Sequence, residues 1–110
     1  MLEQTNLDAT EAVQEFPHGR MAVGTVGEYS AWKLIAEPGW RFSQDNGPDL
    51  DVASCPGDHV LFIVSGRMGT RMDTGEELES RPGDVVRVSP GHDAWTIGDD
   101  SLVAVGVDPA

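Results

Sequence analysis

Hydrophobic positions in this chain fall into short runs separated by turns. In "YSAWKLIAE", Trp32, Leu34 and Ala36 share one parity, as in a strand with one buried face. "HVLFIVS" is apolar on both parities and predicts a strand covered on both faces. "RMGTRM" puts Met68, Thr70 and Met72 on one side and Arg67 and Arg71 on the other. "DTG" joins it to "EELES" as a short hairpin. "PGD" then leads into "VVRVS", "PGHD" into "AWTIG", and "DDS" into "LVAVGV". "EPGWRF" predicts a turn followed by an aromatic strand start, and "QDNGPDLD" is loop chemistry throughout. No long amphipathic helix is present in the pattern. Short strands with turns at close spacing predict an all-β sandwich or barrel.

Residues 1–20 read differently. "DATEAVQEF" suits one or two helical turns capped by Asp8 or Thr10, and equally an extended arm. Pro17 and Gly19 end it, with His18 in the turn. The expected organisation is an N-terminal arm over 1–20 and one barrel over 21–110.

Composition narrows the partners. The formal net charge is −12, and Lys33 is the only lysine. Such a surface repels phosphate backbones and anionic membranes, so neither nucleic acid nor membrane is an expected partner. No apolar run approaches a membrane span, and no basic segment followed by an apolar stretch suggests a secretory signal. Cys55 is the only cysteine and has no internal disulfide partner. A reducing, cytoplasmic setting is therefore expected. With 110 residues, the chain is long enough for one modest core.

"GDVVRVSPGHDAW" resembles the second cupin motif, G(X)5PXG(X)2H, and "EPGWRFSQD…HVLFIVSG" resembles a stretched first motif, G(X)5HXH(X)3–4E(X)6G. "NLDATEAVQEFPHGRM", "GRMGTRMDTGEELESRPGD" and "PGHDAWTIGDD" extend the likeness to small cupin domains that occur alone or attached to nucleotide-cyclase catalytic domains. The resemblance implies a single-domain cupin-type double-stranded β-helix, a jelly-roll barrel. It says less about activity, because one fold hosts many functions.

Cupins usually hold one divalent metal with three histidines and a glutamate, and here no ligand stands in its usual place. Counting forward from Gly39, the histidine positions fall on Asp45 and Gly47; counting back from Gly66, the glutamate position falls on His59. Roughly ten extra residues separate these anchors, a spacing that makes any motif match a hypothesis. Counting back from His59 instead puts Ala53 and Cys55 at the histidine positions. The second-motif histidine position is Ala94, two after His92, and its proline position is Ser89, with Pro90 following. Two readings stay open. In one, Asp45, Cys55, His59 and His92 rebuild a site for Zn, Ni, Fe or Mn. Asp45 is the weakest member, since its loop favours an Asx-turn role. In the other, the metal is lost and the barrel binds its ligand without one.

His92 shares strand parity with Ala94 and so is expected to reach inward; Asp93 is a candidate to orient it or to satisfy the turn. Trp40, just past a turn, is the candidate ligand-stacking wall beside His59 and His92. Phe62 and Trp95 suit the core or an interface, and with the arm they supply apolar surface for an expected homodimer. The leading functional expectation is a cavity that binds or senses a small organic molecule. Next comes a metal-dependent enzyme (isomerase, cyclase, lyase or dioxygenase), and then a structural domain. No nucleophile triad, phosphate loop or dinucleotide fingerprint is present in the sequence.

Overall fold

The alternation seen in the sequence becomes nine strands in a computed structural model that describes residues 1–109. They are β1 (Val13–Phe16), β2 (Gly19–Val26), β3 (Tyr29–Ala36), β4 (His59–Ser65), β5 (Met68–Met72), β6 (Glu77–Ser80), β7 (Val85–Val88), β8 (His92–Thr96) and β9 (Leu102–Pro109). Two short helices, α1 (Phe42–Asp45) and α2 (Gly47–Leu50), separate β3 from β4. A six-stranded sheet, in the order β1-β2-β3-β9-β4-β7, faces a three-stranded sheet, β6-β5-β8. The pairings are antiparallel, and the architecture is all-β, two antiparallel sheets packed as a barrel.

One parity of each central strand points inward. Trp32, Leu34 and Ala36 of β3, Leu61 and Ile63 of β4, and Leu102 and Ala104 of β9 are buried together. β4 departs from its expected coverage on both faces. Its other parity, Val60, Phe62 and Val64, stands exposed on the outside of the larger sheet. The apolar run had two apolar faces, but only one meets the core.

The first twenty residues join the larger sheet in part. β1 is an edge strand paired with β2, and β2 begins at Gly19, so the sheet takes in residues assigned to the arm. Of the two alternatives for this stretch, "VQEF" takes the extended one, and Phe16 packs against the core. What precedes β1 lies against the larger sheet: Asp8 pairs with Lys33 at 2.9 Å, and Thr5 packs where Gly24 has no side chain. The 42–50 stretch, expected as strand start and loop, forms α1 and α2 instead. Asp93 of β8 accepts from the Ser43 N–H at 3.0 Å and the Ser43 hydroxyl at 2.8 Å, which caps α1 from another element.

Candidate metal centre

Antiparallel register gathers the site at one end of the barrel. His59 opens β4, His92 opens β8, and Asp108 lies near the end of β9. Val60 pairs with Val107, which sets the start of β4 beside the end of β9. Cys55 comes from the connection after α2. It forms an isolated bridge with His92, its N–H donating to the His92 carbonyl at 2.7 Å. The extra residues between the two halves of the stretched motif therefore deliver a ligand atom.

Cys55, His59 and His92 each offer one donor atom, and these lie within 4.8 Å of one another. The ring nitrogens are sorted by their partners. Nδ1 of His59 is 2.8 Å from Asp108 Oδ1, and Nδ1 of His92 is 2.8 Å from the Ser89 carbonyl oxygen. A carbonyl only accepts, and so does a carboxylate when ionised, so each Nδ1 carries the proton. Each Nε2 is left for the site, and that of His59 lies 3.6 Å from Cys55 Sγ. Metal-ligating histidines are held by this same outer shell of carboxylates and backbone carbonyls.

Asp108 is the functional residue the sequence analysis missed. Its Oδ1 also accepts from Trp32 Nε1 at 2.9 Å. The signal was strand parity, because Asp108 alternates with Leu102, Ala104 and Gly106 on the inward face of β9. Gly106 faces Trp32 across the strand pair, and a side chain there would enter the indole ring. The absent side chain lets Trp32 reach Asp108.

Asp45 does not join the cluster. Its Oδ2 lies 3.1 Å from His18 Nδ1 and accepts from the Arg41 N–H at 3.0 Å, which ties it to α1 and the β1–β2 turn. Asp93 does not orient His92 either; besides Ser43, it accepts from Arg41 Nη1 at 3.1 Å. That guanidinium lies 4.4 Å from the centre of the Trp95 ring, so Trp95 packs under Arg41, away from the Phe62 face.

Burial by itself pushes the Cys55 thiol up. Hydrogen bonds from His59, His92 and the Gly57 N–H, with the charge of His92, outweigh it and lower the pKa from 9.0 to about 6. Burial alone lowers the His59 pKa, but the hydrogen bonds to Cys55 and Asp108 and their negative charges raise it above 6.5. In metal-free protein the thiolate's contribution to stability is complete above pH 9 and lost as pH falls through about 6. The His59 contribution is complete below pH 6.5 and lost as pH rises through its elevated value. We expect iodoacetamide labelling of chelator-treated protein to reach half its maximal rate near pH 6, and His59→Ala to move that midpoint up towards 9.0. A wild-type midpoint already near the ordinary thiol value would sink this account of the pair.

The cluster opens on a cavity of about 260 Å³ inside the barrel. Its wall is largely apolar and includes Phe16, Trp32, Leu34, Trp40, Phe42 and Met68. Trp40, His59 and His92 all line it, as do Cys55 and Asp108. Trp40 is held by donation from Nε1 to Asn46 Oδ1 at 2.8 Å.

Solved structures show the same fold. Oxalate decarboxylase from Bacillus subtilis aligns with a TM-score of 0.67 at 21% identity, over 94% of this chain and 28% of the enzyme chain. A Cupin 2 conserved barrel domain protein from Salinispora arenicola aligns with a TM-score of 0.61 at 16% identity, over 81% of this chain and 73% of the other. A cupin-like protein from Thermotoga maritima gives a TM-score of 0.58 at 21% identity, over 86% and 71% of the two chains. The chain thus spans little more than a quarter of the decarboxylase, whose structures include Mn(II) centres. No protein-family model matches the chain, and no curated protein matches it. The fold is that of a cupin barrel domain.

Proposed function

We propose that this cupin-fold chain binds a small organic molecule in its barrel cavity, beside one divalent metal ion held by Cys55, His59 and His92. The observation that carries the reading is the sorting of the imidazoles. Asp108 and the Ser89 carbonyl take both Nδ1 atoms, so both Nε2 atoms are left to the site with the thiol. One thiolate and two imidazoles suit Zn, Ni or Fe better than Mn, which favours oxygen donors. A bound ion supplies a Lewis-acidic centre that polarises a ligand oxygen. The chain's own residues do the rest: Asp108 fixes the His59 ring, Trp32 fixes Asp108, and the apolar wall excludes water. A reducing compartment, which keeps Cys55 free, belongs to the same reading.

The second reading is a metal-dependent small-molecule enzyme. A set of three protein donors favours it, because catalytic zinc sites use three ligands and keep a position for substrate.

Elemental analysis of tag-free protein, after chelation and reloading, tests the metal. One ion per chain is expected, with a thiolate-to-metal absorption band in the cobalt form that Cys55→Ser removes. Stoichiometry near zero with zinc, nickel, iron and manganese alike would leave a metal-free binding module.

Assembly belongs to the same proposal. The outward positions of β4 and β9, with Val85 of β7, are Val60, Phe62, Val64, Val103, Val105 and Val107. They form an apolar strip on a chain of net charge −12, bordered by Arg87, which pairs with Val60, and by Lys33, which pairs with Val105. A second copy is the occupant that suits it, because two such strips meet apolar to apolar, while Asp8 and Asp58 at the border are already paired with Lys33 and Arg87. Light scattering should report a dimer that Phe62→Glu converts to monomer. A wild-type monomer at high concentration would remove the proposal.

No helix among the described residues is long and apolar enough to cross a membrane.

A further inference from the structure

Two buried hydroxyls, those of Thr70 and Ser80, have no hydrogen-bond partner among the described residues. Their surroundings differ. Ser80 does not line the cavity beside the Cys55 cluster, whereas Thr70 does, and it is only 5% exposed. Thr70 lies in the middle of β5, on the inward parity it shares with Met68. It pairs directly with Ala94, and the next inward pair along the strands is Met72 with His92. Thr70 and His92 are therefore diagonal cross-strand neighbours, roughly 7 Å apart at the backbone. A hydroxyl is both donor and acceptor, and leaving one buried without a partner is unfavourable.

The rest of the wall limits what can meet that hydroxyl. No lysine or arginine lines the cavity, and its only carboxylate is Asp108. Apart from an ion held by the Cys55 cluster, nothing in the wall would offset a phosphate or a second carboxylate, and Asp108 would repel it. Phe16, Trp32, Trp40 and Phe42 offer aromatic surface, and about 260 Å³ leaves room for a molecule of one ring.

We infer that the cavity takes a compact, uncharged, ring-sized organic molecule. One of its donor atoms faces the Cys55, His59 and His92 end, and its second polar group is held by the Thr70 hydroxyl. Thr70 is then a specificity-determining residue. It separates ligands with polar groups at both ends from those with one. This inference rests on the ligand-binding reading of the cavity and names the class of ligand.

The probes are 4-hydroxybenzyl alcohol and 4-methylphenol, which differ by one hydroxyl, with phenyl phosphate as the charged control. Calorimetric titration of zinc-treated full-length protein should show the alcohol binding about tenfold more tightly than 4-methylphenol, the scale of one buried hydrogen bond. In chelator-treated protein, phenyl phosphate should bind at least about tenfold more weakly than either. Thr70→Val keeps the shape and removes the hydroxyl, so the preference for the alcohol should vanish or reverse. Thr70→Ser should retain it. Failure of both ring probes to bind, or a preference that survives Thr70→Val or is lost in Thr70→Ser, overturns the assignment. So does tight binding of phenyl phosphate to the chelator-treated protein. Metal content is measured on the same samples. A Thr70-dependent preference in protein that takes up no metal supports this inference and removes the metal. Metal-loaded protein indifferent to both ring probes removes this inference and leaves the metal.

Discussion

Replacing His59 by alanine is expected to abolish stoichiometric metal uptake by the protein. The variant loses a donor atom and breaks the chain that runs from Trp32 through Asp108 to the cluster. Metal affinity should fall by more than ~100-fold, beyond the range seen when only an outer-shell partner is lost. Asp108→Ala keeps all three donors and removes the acceptor that fixes the His59 ring. Its expected loss is about 10- to 100-fold. His18→Asn should change nothing. His18 sits in a turn with φ of 66°, a conformation asparagine tolerates, and its partner is Asp45 outside the cluster. Equilibrium dialysis of the three variants against zinc, with circular dichroism to confirm folding, checks the order. A His59→Ala protein that still holds one ion per chain would place the metal elsewhere.

Ile63→Ala should be the most damaging of the simple core truncations. Ile63 is fully buried in β4, among side chains from both sheets. Truncation leaves a void that a close-packed barrel refills poorly, at a cost of about 2–5 kcal/mol. Single domains commonly have about 5–15 kcal/mol in total, so much of the stability goes at once. Leu78→Thr, at an exposed position on β6, should stay within about 0.5 kcal/mol. Urea unfolding of both variants reads the difference from the midpoints. A loss under about 1 kcal/mol for Ile63→Ala would mean that the inward face of β4 is not the packed core described above.

Local alternation made β3, β5 and the β5–β6 hairpin legible, because a strand's parity is written in its own residues. The same rule read β4 as covered on both sides. Alternation reports that two faces are apolar, not whether anything lies over the second. Phe42–Leu50 was read as strand start and loop from its turn residues. It became helical where Asp93, far along the chain, completes the first turn of α1. Residues 13–16 suited a helical turn or an extended arm equally, and pairing with β2 decided for the extended form.

By itself, the sequence determined an all-β chain punctuated by Gly, Pro and Asp turns, and it offered Asp45, Cys55, His59 and His92 as candidate metal ligands, with Trp40 as a candidate ligand wall. Tertiary structure decided which of the candidates meet. Asp45 is taken by His18 and the backbone of Arg41. Cys55 reaches the site through a bridge to His92, and Asp108 arrives on β9, which is inserted between β3 and β4. These contacts join residues far apart in sequence, His59 and Asp108 being 49 positions apart. Side-chain periodicity is local, while strand order is set by how the whole chain buries its apolar faces, so the outer shell of the site exists only once the barrel has closed.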